Sequence, residues 1–364
     1  MRIEIRPEWL LHHGDGDAIS LPLLLRLLTE IRDQGSIAGA AQTVGLSYRY
    51  AWGLLKQFDE RFGAALVQKA RGQGTRLSPL AEKLIWADKR IEARLSPFLE
   101  TLASELEREL AAVLAEESSV LRITASHGFA VDALVRKFSA SNIVVDLKYR
   151  GSTEAVAALA RGECDLAGFH LPVGEFRRPA AQQYLKWLDP KRHVLVHLAY
   201  RTQGLFVEKG NPKGIASLND LARADIRFVN RQVGSGTRVL LELLLAKEKI
   251  KTARIPGYES AEFTHAAVAA YVASGMADAG FGVETAARRF HLDFIPIVRE
   301  QYFFAVERKQ LADPQLSLAV KLMASDEIRN AINALAGYDG ALSGAVVTLG
   351  DAVTGQCPAR PGGL

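Results

Sequence analysis

The chain has 364 residues, of which 48% are apolar and 24% charged, with a mean hydropathy of +0.03. This balance excludes a collagen-like, disordered or disulfide-scaffold protein, and the length fits two or three domains. The net charge of +4 and pI near 9.0 permit a nucleic-acid partner without requiring one.

No run of about 18 uninterrupted apolar residues occurs, so no membrane helix is expected. The opening stretch, MRIEIRPEWLLHHGDGD, lacks the apolar centre of a secretory signal. Cys164 and Cys357 cannot alone build a disulfide framework or a metal knuckle, and the expected location is the cytoplasm.

The spacing predicts three helices at the start: a Leu-rich one over Leu21–Ile31, a small-residue one opened by Ser36, and a third from Ser47 through Phe62. Two short strands around Gly72-Gln73-Gly74 follow, between Leu66 and Ser78. From Pro79 to about Ala115, apolar residues at 84, 91, 95, 98, 102, 106, 110 and 113 describe one sticky helical stripe. It favours a dimerising helix, which Pro97 kinks or splits. After residue 119 strands alternate with helices to about residue 335, which predicts a largely parallel α/β sheet in two lobes. The expected division is 1–90 for a winged helix-turn-helix, 91–118 for a linker helix, 119–336 for a two-lobed ligand-sensing α/β domain, and 337–364 for a flexible tail.

The helix-turn-helix carries the residues of a DNA reader. The second helix of such a pair presents its first turn to base edges, and here that turn holds Ser47, Tyr48, Arg49 and Tyr50. Arg49 suits a bidentate contact with guanine. Lys56, one turn on, suits the phosphate backbone, and Ser36 opens the preceding helix. From Arg61 to Ser78 there are four basic residues (Arg61, Lys69, Arg71 and Arg76) and no acidic one, as a wing on a phosphate ridge requires. Trp52 is read as core.

The runs GSIAGAAQTVGLSYRYAWGLL and FGAALVQKARGQGTRLSPLAEKL resemble the winged helix of ModE regulators, which is related to that of LysR-type regulators. The resemblance covers roughly residues 20–90 and implies operator binding by a dimer, with Ser47, Tyr48, Arg49, Arg71 and Arg76 among the contacts. Ala81 stands where relatives often carry glycine.

In the α/β part, small hydroxyl residues gather at strand-to-helix junctions: Thr124-Ala125-Ser126-His127-Gly128, Gly151-Ser152-Thr153, Gly234-Ser235-Gly236-Thr237 and Phe263-Thr264-His265. Ligands of open α/β sheets lie beyond the carboxyl ends of strands, where helix N-termini offer free N–H groups. Several such junctions in one cleft describe a site for a small oxyanion.

The run from Arg231 to Arg238 resembles the phosphate loop of periplasmic phosphate receptors, where an Arg four residues before the Ser also contacts the anion. In those receptors an Asp two residues before the Ser accepts a phosphate proton. Val233 stands there instead, which argues for a fully deprotonated anion. More widely, VNRQVGSGTRVLLELLL, GLFVEKGNPKGIASLNDLA, GSTEAVAALARGECDLAGFHLP and THAAVAAYVASGMADAGFG resemble cytosolic relatives of periplasmic molybdate-binding proteins, over nearly all of residues 119–335. This resemblance implies a type II periplasmic-binding-protein fold with lobes joined near Gln203-Gly204 and Arg299-Glu300. It places ligand contacts on Ser126, Ser152, Arg231, Ser235, Gly236, Thr237, Thr264 and Tyr302.

Three readings stay open. Tyr302 reaches the cleft or packs within a strand. Arg238 neutralises the anion or pairs with Glu242. His127 and His265 donate to the anion or are ordinary surface histidines. No nucleophile elbow, metal-binding His-Glu-x-x-His or Walker loop is present, and Cys164 reads as packing, so neither an enzyme nor a resident metal or cofactor is expected. The expected partners are double-stranded operator DNA and a small oxyanion: molybdate or tungstate first, then sulfate or formate. No membrane partner is expected, and the assembly is a homodimer or homotetramer. The alternative is a cytosolic oxyanion-binding protein whose winged helix serves dimerisation only.

Overall fold

The computed structural model describes residues 3–12, 18–70, 74–113 and 120–356, without the side chains of residues 69, 70, 111 and 112. The chain divides into two compact units, residues 6–95 and residues 96–364 with the first five. No helix among the described residues is long and apolar enough to cross a membrane.

In the smaller unit, β1 (Leu10–Leu11) pairs antiparallel with β2 (Ile19–Ser20) ahead of α1 (Pro22–Gln34). The period of α1 buries Leu24, Leu25, Leu27, Leu28 and Ile31 on one face, and Gly35 ends it in the left-handed conformation. α2 (Ile37–Val44) starts at Ser36, whose hydroxyl accepts from the Gly39 amide at 3.3 Å. α3 (Tyr48–Phe62) starts at Ser47, which accepts from Tyr50 N at 3.2 Å. Ala51, Leu55 and Phe58 of α3 close the core over Leu24, Leu27 and Leu28, with Trp52 packed half-buried at its margin.

β3 (Val67–Ala70) and β4 (Gly74–Leu77) form the wing hairpin. The wing is fixed to the helices through Thr75 N, which donates to Gly35 O at 2.8 Å. A Cβ on Gly74, where φ is +80°, would stand 2.4 Å from that same carbonyl, so the close approach requires glycine.

α4 (Pro79–Val113) runs unbroken through Pro97, so the helix is not split there. Leu95, Phe98, Leu102, Leu106 and Val113 repeat along α4 at helical spacing and remain exposed, Phe98 at 62%.

The larger unit begins β5 (Leu121–Ala125), α5 (Phe129–Ala140), β6 (Val145–Tyr149), α6 (Ser152–Ala160), β7 (Leu166–Pro172), α7 (Arg177–Leu185) and β8 (His193–Val207). Then come β9 (Phe228–Arg231), α8 (Gly236–Lys247), β10 (Ala261–Glu262), α9 (His265–Ala273), β11 (Ala279–Val283), α10 (Glu284–Arg289) and β12 (Asp293–Glu307). α11 (Pro314–Met323), α12 (Asp326–Asn333), β13 (Tyr338–Asp339), β14 (Val346–Thr348) and α13 (Leu349–Thr354) complete it.

The strand order is β10-β9-β11-β8-β12-β7-β5-β6, with β13 and β14 also on β8. The two long strands β8 and β12 pair antiparallel and run through both halves. β8 carries β11 from Gln203 onward, whereas β12 carries β7 from Glu300 onward. Three-layer packing of helices on this sheet gives each half its own core, around Phe169 and Tyr184 in one and Phe228 and Phe281 in the other.

One sequence expectation needs correction. Residues from 337 are not simply a tail: β13 and β14 pair with β8 at Tyr338↔Arg201 and Val347↔Leu195, and α13 packs beside α7. These short, Gly-flanked segments are held by partners about 140–150 positions earlier in the chain, and local pattern cannot show such pairing. Residues 357–364, with Cys357, lie outside the described residues.

Candidate functional site

On the smaller unit, the first turn of α3 is a polar surface. Tyr48 and Tyr50 are more than half exposed, and Arg49 and Lys56 are exposed beside them. Ser36 and Ser47 spend their hydroxyl oxygens as N-caps, which fixes where α2 and α3 begin. Arg76 is exposed on β4. The Lys69 side chain and the whole of Arg71 lie outside the described residues. The chemistry of this face is cationic and aromatic, and its core is apolar.

The larger unit has the opposite arrangement. A cavity of about 10 Å³ lies inside it, room for about one water-sized body. Ser126 and His127 line it from the β5–α5 junction, and Arg150 and Gly151 from β6–α6. Arg231, Gln232, Ser235, Gly236 and Thr237 line it from β9–α8, Phe263 and His265 from β10–α9, and His170 and Arg201 from β7 and β8. Four strand-to-helix junctions therefore converge, and the N-termini of α6, α8 and α9 each contribute lining residues.

The halves meet closely across the cavity. A Cβ on Gly151 would lie 3.0 Å from the Gly234 carbonyl oxygen.

Arg231 dominates the electrostatics. It is 95% buried, its Nη2 donates to Phe263 O at 2.7 Å, and its Nε and Nη1 have no hydrogen-bond partner among the described residues. No carboxylate among them lies within ion-pairing distance of it. Burial, with Arg201 adding to it, pulls its pKa down to about 9, which leaves it charged at neutral pH. A desolvated, uncompensated guanidinium is costly to the fold, and an anion offsets that cost.

Arg201 differs. Burial opposes its charge, but Glu300, its direct cross-strand neighbour on β12, ion-pairs with it and holds its pKa up. The three histidines are held neutral. Burial lowers the pKa of His127 and takes those of His170 and His265 well below the usual imidazole value, with Arg231 acting in the same direction on each.

The structure brings together most of the junction residues singled out in the sequence. Ser126, His127, Arg231, Ser235, Gly236 and Thr237 line one cavity. Ser152 stands just behind it, its Oγ 3.3 Å from His170 Nδ1. Thr237 Oγ1 accepts from Gln203 Nε2 at 3.2 Å.

Besides Ser152, three expected residues do not line it. Arg238 turns away, pairs with Glu242 at 3.1 Å and Glu259 at 3.3 Å, and stacks on Tyr258. Thr264 caps α9 through Ala267 N at 2.9 Å. Tyr302 is a buried strand aromatic set edge-on to His170 at 4.4 Å, with its hydroxyl beside Ser126 and Gly168 and its pKa raised by burial.

The argument from Val233 also needs correction. Its side chain is 77% exposed and absent from the cavity lining, so it says nothing about the anion's proton. Acceptor capacity comes instead from the neutral histidines.

His170, Arg201 and Glu300 escaped the sequence reading. Their signal was a titratable residue within an otherwise buried strand, as in Leu-Ala-Gly-Phe-His-Leu-Pro of β7. Cys164 packs in the core, and burial pushes its thiol up to about 11.

Residues 135–324 match the family described as "PBP superfamily domain", and residues 23–82 match "Bacterial regulatory helix-turn-helix protein, lysR family". The chain belongs to the PBP superfamily and carries a LysR-type helix-turn-helix ahead of that domain. The uncharacterized protein YvgK of Bacillus subtilis is 38% identical over 201 residues, covering 55% of this chain and 64% of that protein. An uncharacterized protein in the ferredoxin 2Fe-2S gene 5′ region of Clostridium pasteurianum is 32% identical over 95 residues, or 26% of this chain and 84% of that one. The molybdenum-pterin-binding protein MopB of Rhodobacter capsulatus is 38% identical over 92 residues, or 24% and 34% of the two chains. This chain thus spans under two thirds of the YvgK length.

Proposed function

We propose that this chain is a one-component transcriptional regulator whose PBP-like domain senses a small oxyanion. The observation that carries the sensing half is Arg231, a buried cation with no ion pair among the described residues, facing a small cavity ringed by helix N-termini. So small a cavity excludes bulky organic effectors, and its size does not rank the candidate anions, which are molybdate or tungstate, with sulfate or formate as alternatives. The partial likeness to MopB points the same way.

The DNA half rests on the LysR-type match and on the exposed Tyr48, Arg49, Tyr50 and Lys56 at the start of α3, with wing residues Lys69, Arg71 and Arg76 beside it in sequence. The exposed stripe of α4 supplies the face for a homodimer, which places two readers on a dyad operator.

Melting in the presence of molybdate, tungstate, sulfate and formate tests the sensor: a specific anion raises Tm, and an unchanged Tm with all four rejects it. Mobility shifts on selected operator DNA test the reader. Binding that survives Arg49→Ala, Arg71→Ala and Arg76→Ala together leaves the winged helix a dimerisation module. Phe98→Glu on α4 is expected to convert the dimer to monomer in sedimentation.

A further inference from the structure

We propose that a dianion enters this cavity together with one proton from solvent, which His170 or His265 receives, so that the site selects doubly charged oxyanions by proton uptake. The proposal rests on the oxyanion reading above and concerns what balances the second charge.

The charges around the cavity do not balance a dianion as they stand. Arg201 is matched by Glu300 and exposed Arg150 by Glu154, while Arg231 contributes one uncompensated positive charge. No carboxylate lines the cavity among the described residues. One guanidinium balances a monoanion, and helix N-termini supply only partial charge. The remaining groups able to become positive are the imidazoles.

His170 is faced by Ser152 from α6, by Arg201 from β8, by Arg231 from β9, and by Glu300 at 3.9 Å and Tyr302 from β12. Its Nδ1 lies beside the Ser152 hydroxyl, and its Nε2 has no hydrogen-bond partner among the described residues. His265 is faced by Arg231, Arg201, His170 and His127, with Gly282 of β11 against its Nδ1, and that nitrogen also has no hydrogen-bond partner among the described residues. Apart from Glu300, which Arg201 engages, every titratable group facing these two rings is neutral or cationic. Without an anion the rings therefore stay neutral, as burial and the two arginines already hold them.

A dianion reverses the sign of that field. The step is a protonation only: an N–H bond forms at an imidazole lone pair, the proton comes from solvent, and no bond of the anion breaks. His127 differs because two carboxylates, Glu100 at 4.0 Å and Asp132, face it and neither is engaged by Arg201 as Glu300 is, so its protonation depends less on an anion.

Calorimetry of the full chain with sulfate, molybdate and formate, in two buffers of different ionisation enthalpy near pH ~7.5, reads this directly. The expected result is about one proton taken up per dianion and none per formate, with dianion affinity rising about tenfold per pH unit lowered. The double variant His170→Asn, His265→Asn should lose the uptake and flatten the pH slope. Dianion binding without proton uptake in the wild-type chain overturns the inference while leaving the oxyanion reading intact. Uptake that persists in the double variant overturns its assignment to these histidines. Absence of binding by every anion overturns the oxyanion reading itself. Should the double variant fail to fold, the wild-type contrast between dianion and formate decides the matter.

Discussion

The two units place charge in opposite ways. The winged helix keeps an apolar interior, in which Leu24, Leu27, Leu28 and Phe58 are fully buried, and carries its cations outside on Arg49, Lys56 and Arg76. The PBP-like domain buries Arg201, Arg231, Glu300 and three histidines inside. An exposed cation costs the fold little and is available to a polyanion at once. A buried cation costs the fold and is strong toward an anion because water does not screen it. Under the proposed function, the contrast makes stability and function nearly independent in the first unit and opposed in the second.

The sharpest way to break this contrast is Arg231→Leu. It should remove about 2–5 kcal/mol of anion affinity while leaving Tm unchanged or higher, since an unpaired buried charge gives way to apolar volume. Calorimetry and thermal melting on one sample check both halves. A fall in Tm without loss of binding would falsify the assignment of Arg231 as the anion's counter-charge.

The counterpart on the other unit is Arg49→Ala. Its expected cost is about 1–3 kcal/mol of operator affinity, concentrated at one base position, with stability within about 0.5 kcal/mol of wild type. Binding to a panel of operator variants reads the loss.

A third effect comes from pH. The pKa values of His170 and His265 are lower folded than unfolded, chiefly through burial. The unfolded chain therefore binds more protons once the pH drops below the ordinary imidazole value of 6.5. The stability associated with neutral burial is complete above that value and is lost as pH falls toward the lowered folded values. Tm without anion should decline below pH 6.5, and His170→Asn should lessen the decline.

The smallest expected effect is that of Gly151→Ala. Its Cβ would meet Gly234 O at 3.0 Å across the cavity, so closure should cost about 1 kcal/mol and show as weaker anion binding. Unchanged affinity would mean that the two halves need not approach so closely when ligand binds.

Much of this was legible along the chain. The caps Ser36, Ser47 and Ser235, the Gly35 and Gly45 turns and the alternation after residue 119 are local signals, and each marks an element boundary. The hydroxyl-bearing junctions were also visible, because a strand-to-helix turn is written in consecutive residues. Arg238 shows the limit: four positions from Glu242 on one helix, it was equally suited to pairing there or facing the cavity, and only packing against Tyr258 resolved the choice. Val233 misled for the same reason, since a position in a loop does not fix where a side chain points.

Local sequence determined the order of elements, the polar first turn of α3 and the hydroxyl-bearing junctions proposed to meet an anion, because caps, turns and periodicity act over a few residues. Tertiary structure alone decided which charges are compensated. Arg201 and Glu300 are 99 positions apart in the chain but ion-pair across adjacent strands, whereas Arg231, though Glu262 stands opposite it on β10, forms no ion pair among the described residues. The charge proposed to meet the anion is the one left without an ion pair, and strand register, which sets that pairing, is a property of the folded sheet.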